Sequence, residues 1–275
     1  MHNTNKTIDL HMHSNYSDGL FTPTELITIV AKSGIKAVAL TDHDSIEGLK
    51  EAAEAVSAAK IEFVPGVEIS VIENDTEIHL LGYYPEKLKI LNDALVLLRE
   101  ERLRRMDIII ERLQKMKFNL SKGDIEREAG AAAPGRLHLA RVMLNKRYVQ
   151  NLEEAFSLYL GWNRPAYYER KTLSTAETMS LLKESGAVKV IAHPGEKCID
   201  RIKYLIKLGL DGIEVYHPDH GRSMIQYYSK VAAANNLIIT GGSDFHGESR
   251  DKPAYPKHFA IDYEFYRKLK EAAGK

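Results

Sequence analysis

Two histidines one residue apart, His11 and His13, follow the short apolar run Ile8 to Leu10. Alternate side chains of a strand point to one face, so the two imidazoles leave its end together and form a chelate. Asp18 follows a polar loop closed by Gly19, near enough to bring a carboxylate back over that strand end, though not of necessity onto the same ion. Other apolar runs end in the same way: His43 lies after Ile35–Thr41, His193 after Ala187–Ala192, and Asp244-Phe245-His246 after Leu237–Gly241. Glu68 stands between Val67 and Ile69, and His79 lies in the alternating stretch Glu77–Tyr84. The nine nitrogen and oxygen donors exceed what one ion with bound water requires and suit two or three divalent ions. Imidazole with carboxylate favours zinc, iron or manganese over calcium or magnesium. Such ions, held close together, activate water and clamp an oxyanion, which is the chemistry of phosphoester hydrolysis. The sequence has no Gly-x-Ser-x-Gly elbow and no Walker loop. Asp44, with Glu47 three residues later, reads as the cap of the alanine-rich helix that follows.

These residues are spaced by a repeating unit of helix, glycine, apolar strand and polar cluster, seen at residues 22–44 and again, from the end of the helix onward, at 185–195, 208–217 and 237–246. Thr22-Pro23-Thr24-Glu25 opens one such helix, which runs to about Ser33. Strands alternating with helices predict an α/β fold with a parallel sheet, and polar groups at strand C-termini predict a barrel whose C-terminal rim is the active site. The stretches 61–70 and 77–84 add two strands, the second reading as an edge strand. From 89 to 171 the rhythm stops. A helix is expected from about Lys89 to Lys117, then the loop Ala129–Gly135 and a helix beginning near Arg136. The division expected is a barrel domain at 1–88 and 172–275, with 89–171 as a helical insertion. The insertion holds 17 Lys and Arg against 11 Asp and Glu in a chain of zero net charge, which suits a cap that meets an anionic substrate above an acidic metal site. The run Arg99 to Arg105 itself reads as a solvated helix face.

With 38 basic and 38 acidic residues among 275, the chain has no overall charge from which to argue nucleic-acid or membrane affinity. Its single cysteine, Cys198, suits a reducing compartment and reads as a bystander. The polar N-terminus carries no apolar signal region, and no run approaches the roughly 20 apolar residues of a membrane helix. The reading is cytoplasmic, with no membrane and no obligate protein partner.

The segments His11-Met12-His13-Ser14-Asn15-Tyr16-Ser17-Asp18-Gly19, Leu40-Thr41-Asp42-His43-Asp44, Gly66-Val67-Glu68-Ile69-Ser70, Ala192-His193-Pro194-Gly195 and Gly242-Ser243-Asp244-Phe245-His246 resemble the successive motifs of the PHP (polymerase and histidinol phosphatase) family. The resemblance implies a distorted seven-stranded β/α barrel and a site for three divalent ions, manganese first, with iron or zinc as alternatives. It implies that His11, His13, Glu68 and Asp244 hold one ion and that Glu68 bridges to a second held by His79 and His193. Asp18, His43 and His246 would hold the third. Within the family the chain is most similar to the stand-alone branch of 3′,5′-nucleotide bisphosphate phosphatases and ribonuclease AM. That narrower match rests on Gly135-Arg136-Leu137-His138-Leu139-Ala140-Arg141 and Glu214-Val215-Tyr216-His217-Pro218, with Leu137 where the branch usually has proline.

On this resemblance Arg136 is expected to present a bidentate fork to a phosphate, and His138 a further hydrogen bond. His217 is expected to contact the transferred phosphate or to assist the leaving group, a task for which an aspartate such as Asp42 is the other candidate. The expected substrate is a nucleotide bisphosphate or a short RNA. The alternatives are a histidinol phosphatase, disfavoured by the basic insertion, and a non-catalytic nucleic-acid-binding module. His2, His220 and His258 carry no assignment.

Overall fold

The computed structural model describes residues 7–73, 76–130, 132–169, 171–247 and 261–275, so His2 and His258 lie outside the described residues. In chain order the elements are β1 (Thr7–Asp9), α1 (Pro23–Lys32), β2 (Ala37–Leu40), α2 (Leu49–Ala59), β3 (Glu62–Glu73), β4 (Thr76–Tyr83), α3 (Leu88–Lys115), α4 (Lys122–Ala129), α5 (Arg136–Asn145) and α6 (Leu152–Ala155). A π-helical turn, Phe156–Leu160, then precedes α7 (Thr175–Glu184), β5 (Val188–Ile191), a 3₁₀ segment Glu196–Arg201, α8 (Ile202–Lys207), β6 (Gly212–Tyr216), α9 (Arg222–Ala234), β7 (Ile238–Gly241), β8 (Ile261–Asp262) and α10 (Tyr263–Ala272). The sheet runs β7-β6-β5-β4-β3-β2-β1-β8.

All seven strands expected from sequence are present. An eighth, two residues long, lies antiparallel on β1. The sheet is not wholly parallel. β4 pairs antiparallel with both β3 and β5 and is an interior strand rather than an edge. The β3–β4 hairpin explains why His79 stands in mid-sequence of its strand yet at the same rim as the other clusters: β4 runs downward from the rim, and His79 pairs with Ser70 above Glu68.

Beyond the ends of β1 and β7 the seam closes. Met12 bridges Phe245, Asp244 N–H donates to the His11 carbonyl at 2.9 Å and His13 N–H to the Phe245 carbonyl at 3.0 Å. Gly242 permits that closure, because a Cβ there would lie 2.3 Å from His11 Cβ.

The two-residue period of the strands sorts their side chains. Ile8, Leu10, Ala39, Val64, Leu81, Tyr83 and Val190 fill one cluster, with Tyr83 Oη donating to the Leu10 carbonyl at 2.7 Å. The opposite phase packs under the helices: Val38 and Leu40 with α1 and α2, and Val67, Ile69, Ile213 and Val215 with α7, α8 and α9. Cys198 is buried in the latter cluster. α1 starts as the sequence predicts, with Thr22 and Glu25 forming a reciprocal capping box. α2 does not. It begins at Leu49 with Gly48 at its cap, and Asp44, expected there, has left-handed backbone (φ 50°) and turns its carboxylate to Arg102.

α3 spans 28 residues and serves two cores. Leu91, Leu95 and Leu98 pack with the barrel helices, whereas Met106, Ile109, Ile110 and Leu113 pack with α4, α5 and the π-helical turn. The change of core thus falls inside α3, between Leu98 and Met106.

Candidate metal centre

Strand phase sets the floor of the site. Glu68 on β3, His79 on β4 and Glu214 on β6 continue the inward phase of Val64, Leu81 and the barrel cluster, so each projects into the mouth above the apolar plug. His11 and His13 enter from beyond β1, and His43, His193, Asp244 and His246 from the ends of β2, β5 and β7. Backbone conformation aims two of these: His193 (φ 24°) and Asp244 (φ 52°) hold positive φ, which non-glycine residues adopt at a cost where surrounding structure enforces it.

The nine donors expected from sequence meet in one cluster. His11 Nε2 and His13 Nε2 lie 3.1 Å apart, each 3.2 Å from Glu68 Oε2 and 3.3 and 3.1 Å from Asp244 Oδ1 respectively. Around the other oxygen, His79 Nδ1 is 2.9 Å and His193 Nε2 3.1 Å from Glu68 Oε1. His246 Nε2 lies 3.2 Å and His13 Nδ1 4.0 Å from Asp18 Oδ1, and His43 Nε2 is 4.0 Å from Asp18 Oδ2. His43 also reaches Glu68 Oε2 through Nδ1 at 3.1 Å. Four sets of donor atoms are each compact enough to surround an ion: His13/Asp18/His43/His246, His11/His13/Glu68/Asp244, His43/Glu68/His79 and His11/His193/Glu214.

The donor set fits divalent cations. Asp18 Oδ1, His43 Nδ1, Glu68 Oε2 and Asp244 Oδ1 are buried and make no hydrogen bond, although each faces nitrogen or oxygen atoms of its neighbours. Electron pairs converging without a proton to share are what a cation satisfies and a hydrogen-bond network does not. Charges in the cluster polarise one another. Burial by itself would lower His13, but the carboxylates of Asp244 and Glu68 beside it raise it to about 10. His79 is likewise lowered by burial and raised by Glu68 and Glu77, to about 10. Burial dominates at His43 and brings it down to about 3. Against the cost of burial, the histidines hold Glu68, Asp18 and Asp244 well below the usual carboxylate range.

One layer beneath lie three carboxylates: Glu214 and Asp9, which carry no role in the sequence reading, and Asp42, expected there to assist the leaving group but turned to Ser14 and Ser17. Glu214, fully buried, faces His11 Nδ1 at 3.0 and 3.1 Å and accepts the His193 N–H at 2.8 Å. A proton on His11 Nδ1 shared with Glu214 leaves the Nε2 lone pair directed at the cluster. Of the set His11/His193/Glu214, Glu214 is therefore the orienting member. Its signal in sequence was a carboxylate in the inward phase of an apolar strand. Asp9 accepts the N–H groups of His11 (3.1 Å) and Ser243 (2.9 Å), tying the first motif to the last. Asp42 accepts from Ser14 N–H and Oγ, both at 2.7 Å, and from Ser17 Oγ at 2.6 Å, so its carboxylate fastens the loop that carries Asp18.

His217 is 5% exposed, and its ring centroid lies 4.9 Å from that of His193. Its Nδ1 accepts from Asp219 N–H, which places the neutral ring's proton on Nε2, 3.6 Å from Asp244 Oδ2. Burial lowers its pKa, but Asp244 and Glu214 raise it further, so the net shift is upward. His220 is structural: Nδ1 faces the Val215 carbonyl at 2.9 Å and Nε2 accepts from Gly195 N–H at 3.2 Å.

Arg136 and His138 stand outside the cluster, at the opening of α5. A cleft lined by Asp18, His43, His79, Arg102, Arg105 and Arg136 runs from the rim to this loop. Arg136 donates to Glu77 at 2.8 Å. His138 is buried, accepts from Gly135 N–H through Nδ1 at 3.0 Å, and is pushed down to about 4 chiefly by burial.

The run Arg99 to Arg105 departs from its expected solvated state. Arg99, Arg102 and Arg105, three residues apart, turn inward to Glu47 (2.9 Å), Asp44 (2.7 Å) and the Tyr168 carbonyl (2.7 Å), leaving Arg104 exposed. Arg141 donates to the Asp18 carbonyl at 2.8 Å. A second opening, lined by Glu77, His79, His193, Glu196 and Lys197, reaches the cluster from the other side. Among the described residues no helix is long and apolar enough to cross a membrane.

A β/α barrel that gathers histidines and carboxylates at one rim, beside an arginine-lined cleft, defines a metal-dependent hydrolase of anionic esters. The profile of the PHP domain family matches residues 9–240, and the chain belongs to that family. A 3′,5′-nucleoside bisphosphate phosphatase of Chromobacterium violaceum is 33% identical over 254 residues, 87% of this chain and 87% of that protein. The 5′-3′ exoribonuclease Rnm of Escherichia coli is 28% identical over 258 residues, 90% of this chain and 88% of its own. Among solved structures, a Bifidobacterium adolescentis protein provisionally described as a metal-dependent phosphoesterase superposes with a TM-score of 0.87 at 28% identity, covering 97% of this chain and 96% of that one.

Proposed function

We propose that this protein removes the 3′-phosphate of nucleoside 3′,5′-bisphosphates, acting in the cytoplasm with three divalent ions, manganese first. The observation that carries the reading is the juxtaposition of the nine-donor cluster with a cleft whose lining includes Arg102, Arg105 and Arg136. His11, His13, Glu68 and Asp244 would hold one ion, Glu68 with His79 and His193 a second, and Asp18, His43 and His246 the third. Bound there, divalent ions lower the pKa of water and offset the charge that builds on a phosphoryl group.

The chain's own residues divide the remaining work. Arg136, at the α5 opening, offers the planar fork that suits a phosphate bidentately, so it is assigned the second phosphate. His138 holds the Gly135 turn from which Arg136 projects. His217, whose Nδ1 accepts from Asp219 N–H and whose Nε2–H is turned toward the cluster, is assigned the donation of a proton to the leaving oxygen. Asp42 positions the Asp18 loop. Residues 89–171 act as the cap, closing the cleft from above and supplying its arginines.

A second activity on the same site, stepwise release of nucleotides from short 5′-phosphorylated RNA, is favoured by the opening beside His193, which gives a leaving strand a way out. Histidinol phosphate, with its ammonium group, suits the arginine cleft poorly. The test is phosphate or nucleotide release by manganese-loaded protein from three substrates: adenosine 3′,5′-bisphosphate, histidinol phosphate and 5′-phosphorylated oligoribonucleotides. Turnover is expected on the first and third. Metal-replete protein that hydrolyses none of them sinks the enzyme reading, and preference for histidinol phosphate sinks the substrate.

A further inference from the structure

We propose that Glu77 is a specificity-determining residue: its carboxylate occupies the place on Arg136 that the second phosphate of the substrate takes, so binding of that phosphate is an exchange. The inference rests on the reading of Arg136 given above and adds to it which residue the phosphate must displace.

Arg136 Nη2 donates to Glu77 Oε2 at 2.8 Å, with the side chains 18% and 34% exposed. The guanidinium is also fixed from other directions, because its Cζ lies 5.9 Å from the Phe156 ring centre and 5.8 Å from that of Tyr167. Those two rings orient Arg136 without Glu77, while Glu77 covers part of its hydrogen-bonding fork. The neighbouring arginines of the cleft are engaged elsewhere, Arg102 with Asp44 and Arg105 with the Tyr168 carbonyl. Glu77 is held by Arg136 and by the charge of His79. Its other oxygen is 3.6 Å from His79 Nε2, beyond hydrogen-bond distance, and it lines both openings to the cluster.

Both side chains of the pair are partly exposed, so it stays open to an incoming anion that carries more charge than the carboxylate. A terminal phosphomonoester carries close to two negative charges at neutral pH and accepts both arms of a guanidinium, whereas a phosphodiester carries one. Exchange against Glu77 therefore discriminates: a nucleotide bearing a terminal phosphate wins Arg136, and one lacking it leaves the Glu77 pair in place.

The experiment compares kcat/KM for adenosine 3′,5′-bisphosphate and adenosine 3′-monophosphate in manganese-loaded wild type, Glu77→Gln and Arg136→Ala. Wild type is expected to prefer the bisphosphate. Glu77→Gln, which removes the competing charge and keeps the shape, is expected to raise that preference about three- to tenfold, and Arg136→Ala to abolish it. Inhibition by adenosine 5′-monophosphate is expected to tighten in Glu77→Gln by a similar factor. If Arg136→Ala abolishes the preference but Glu77→Gln leaves it flat or lowers it, Glu77 supports Arg136 and the inference alone fails. The inference also fails if the change tracks weaker manganese binding, measured by EPR on the same variant, since Glu77 would then act through His79. If Arg136→Ala leaves the preference intact, the phosphate reading of Arg136 fails and takes this inference with it.

Discussion

The rim cluster and the arginine cleft are adjacent, yet they are built on different rules. The cluster draws its donors from strand ends, where a two-residue period and hydrogen bonds between strands fix each Cα, and where Glu214, Asp9 and Asp42 secure the donors and their loops from below. The cleft draws on helix faces and one loop. Arg102 and Arg105 reach it from α3 and Arg136 from α5, and each is held by a carboxylate or a carbonyl. The first region is arranged to hold charge in one geometry. The second can exchange partners, and that difference separates chemistry from selection of substrate.

The largest effect should come from breaking the cluster. Asp244→Asn keeps the shape at the seam but removes a charge that faces His11, His13 and His217. Phosphate release is expected to fall by at least about a thousandfold, roughly 4 kcal/mol in the barrier. His43→Ala should behave alike. Activity within tenfold of wild type for either variant would mean that the cluster is not the reacting centre.

Next comes the joint between the two regions. Arg102 (14% exposed) pairs with fully buried Asp44, one residue beyond His43. Arg102→Ala removes the guanidinium that lies 2.7 Å from that buried carboxylate and is expected to cost about 3 kcal/mol of stability. On the same helix the Lys89–Asp93 pair is 87% and 61% exposed, and Lys89→Ala should change stability by less than about 0.5 kcal/mol. Urea denaturation of both variants checks the contrast. Equal losses would show that α3 is not clasped to the barrel through Arg102.

A smaller change separates the orienting layer from the donors. Glu214→Ala removes the acceptor facing His11 Nδ1, and the expected loss in manganese affinity is about 10- to 100-fold, against little change for Glu214→Gln, which still accepts a hydrogen bond. Metal titration followed by EPR reads this directly. An alanine variant that binds manganese as tightly as wild type would remove Glu214 from the site.

The same division explains what could be read from the sequence. Donors at strand ends were legible because a strand's period is short and its polar terminus conspicuous; all nine expected donors meet in space. The antiparallel course of β4 was not legible, since the alternation around His79 is the same for either direction and pairing is a long-range property. Asp44 looked like a helix cap because Glu47 completes a capping pattern locally, and only the tertiary arrival of Arg102, 58 residues on, overrides it. The inward turn of Arg99, Arg102 and Arg105 was hidden for a similar reason. On an isolated helix that mixed-charge run has no preferred face, and the barrel wall that selects one is remote in sequence.

The mildest test needs no substitution. In the metal-free protein burial opposes the charge on His13 and His79, but Glu68, with Asp244 at the first and Glu77 at the second, raises both to about 10, so each holds a proton at neutral pH. An ion that takes either nitrogen must expel that proton, and the apparent affinity then rises with pH throughout the range below about 10. The expected slope is about tenfold per pH unit for each proton displaced, or about 1.4 kcal/mol. Glutamate and aspartate donors add nothing to this slope, because Glu68, Asp18 and Asp244 are already ionised well below neutrality. Manganese affinity measured from pH 6 to 8 with independent buffers tests the cluster directly: a flat profile would mean that the ions do not bind through His13 or His79.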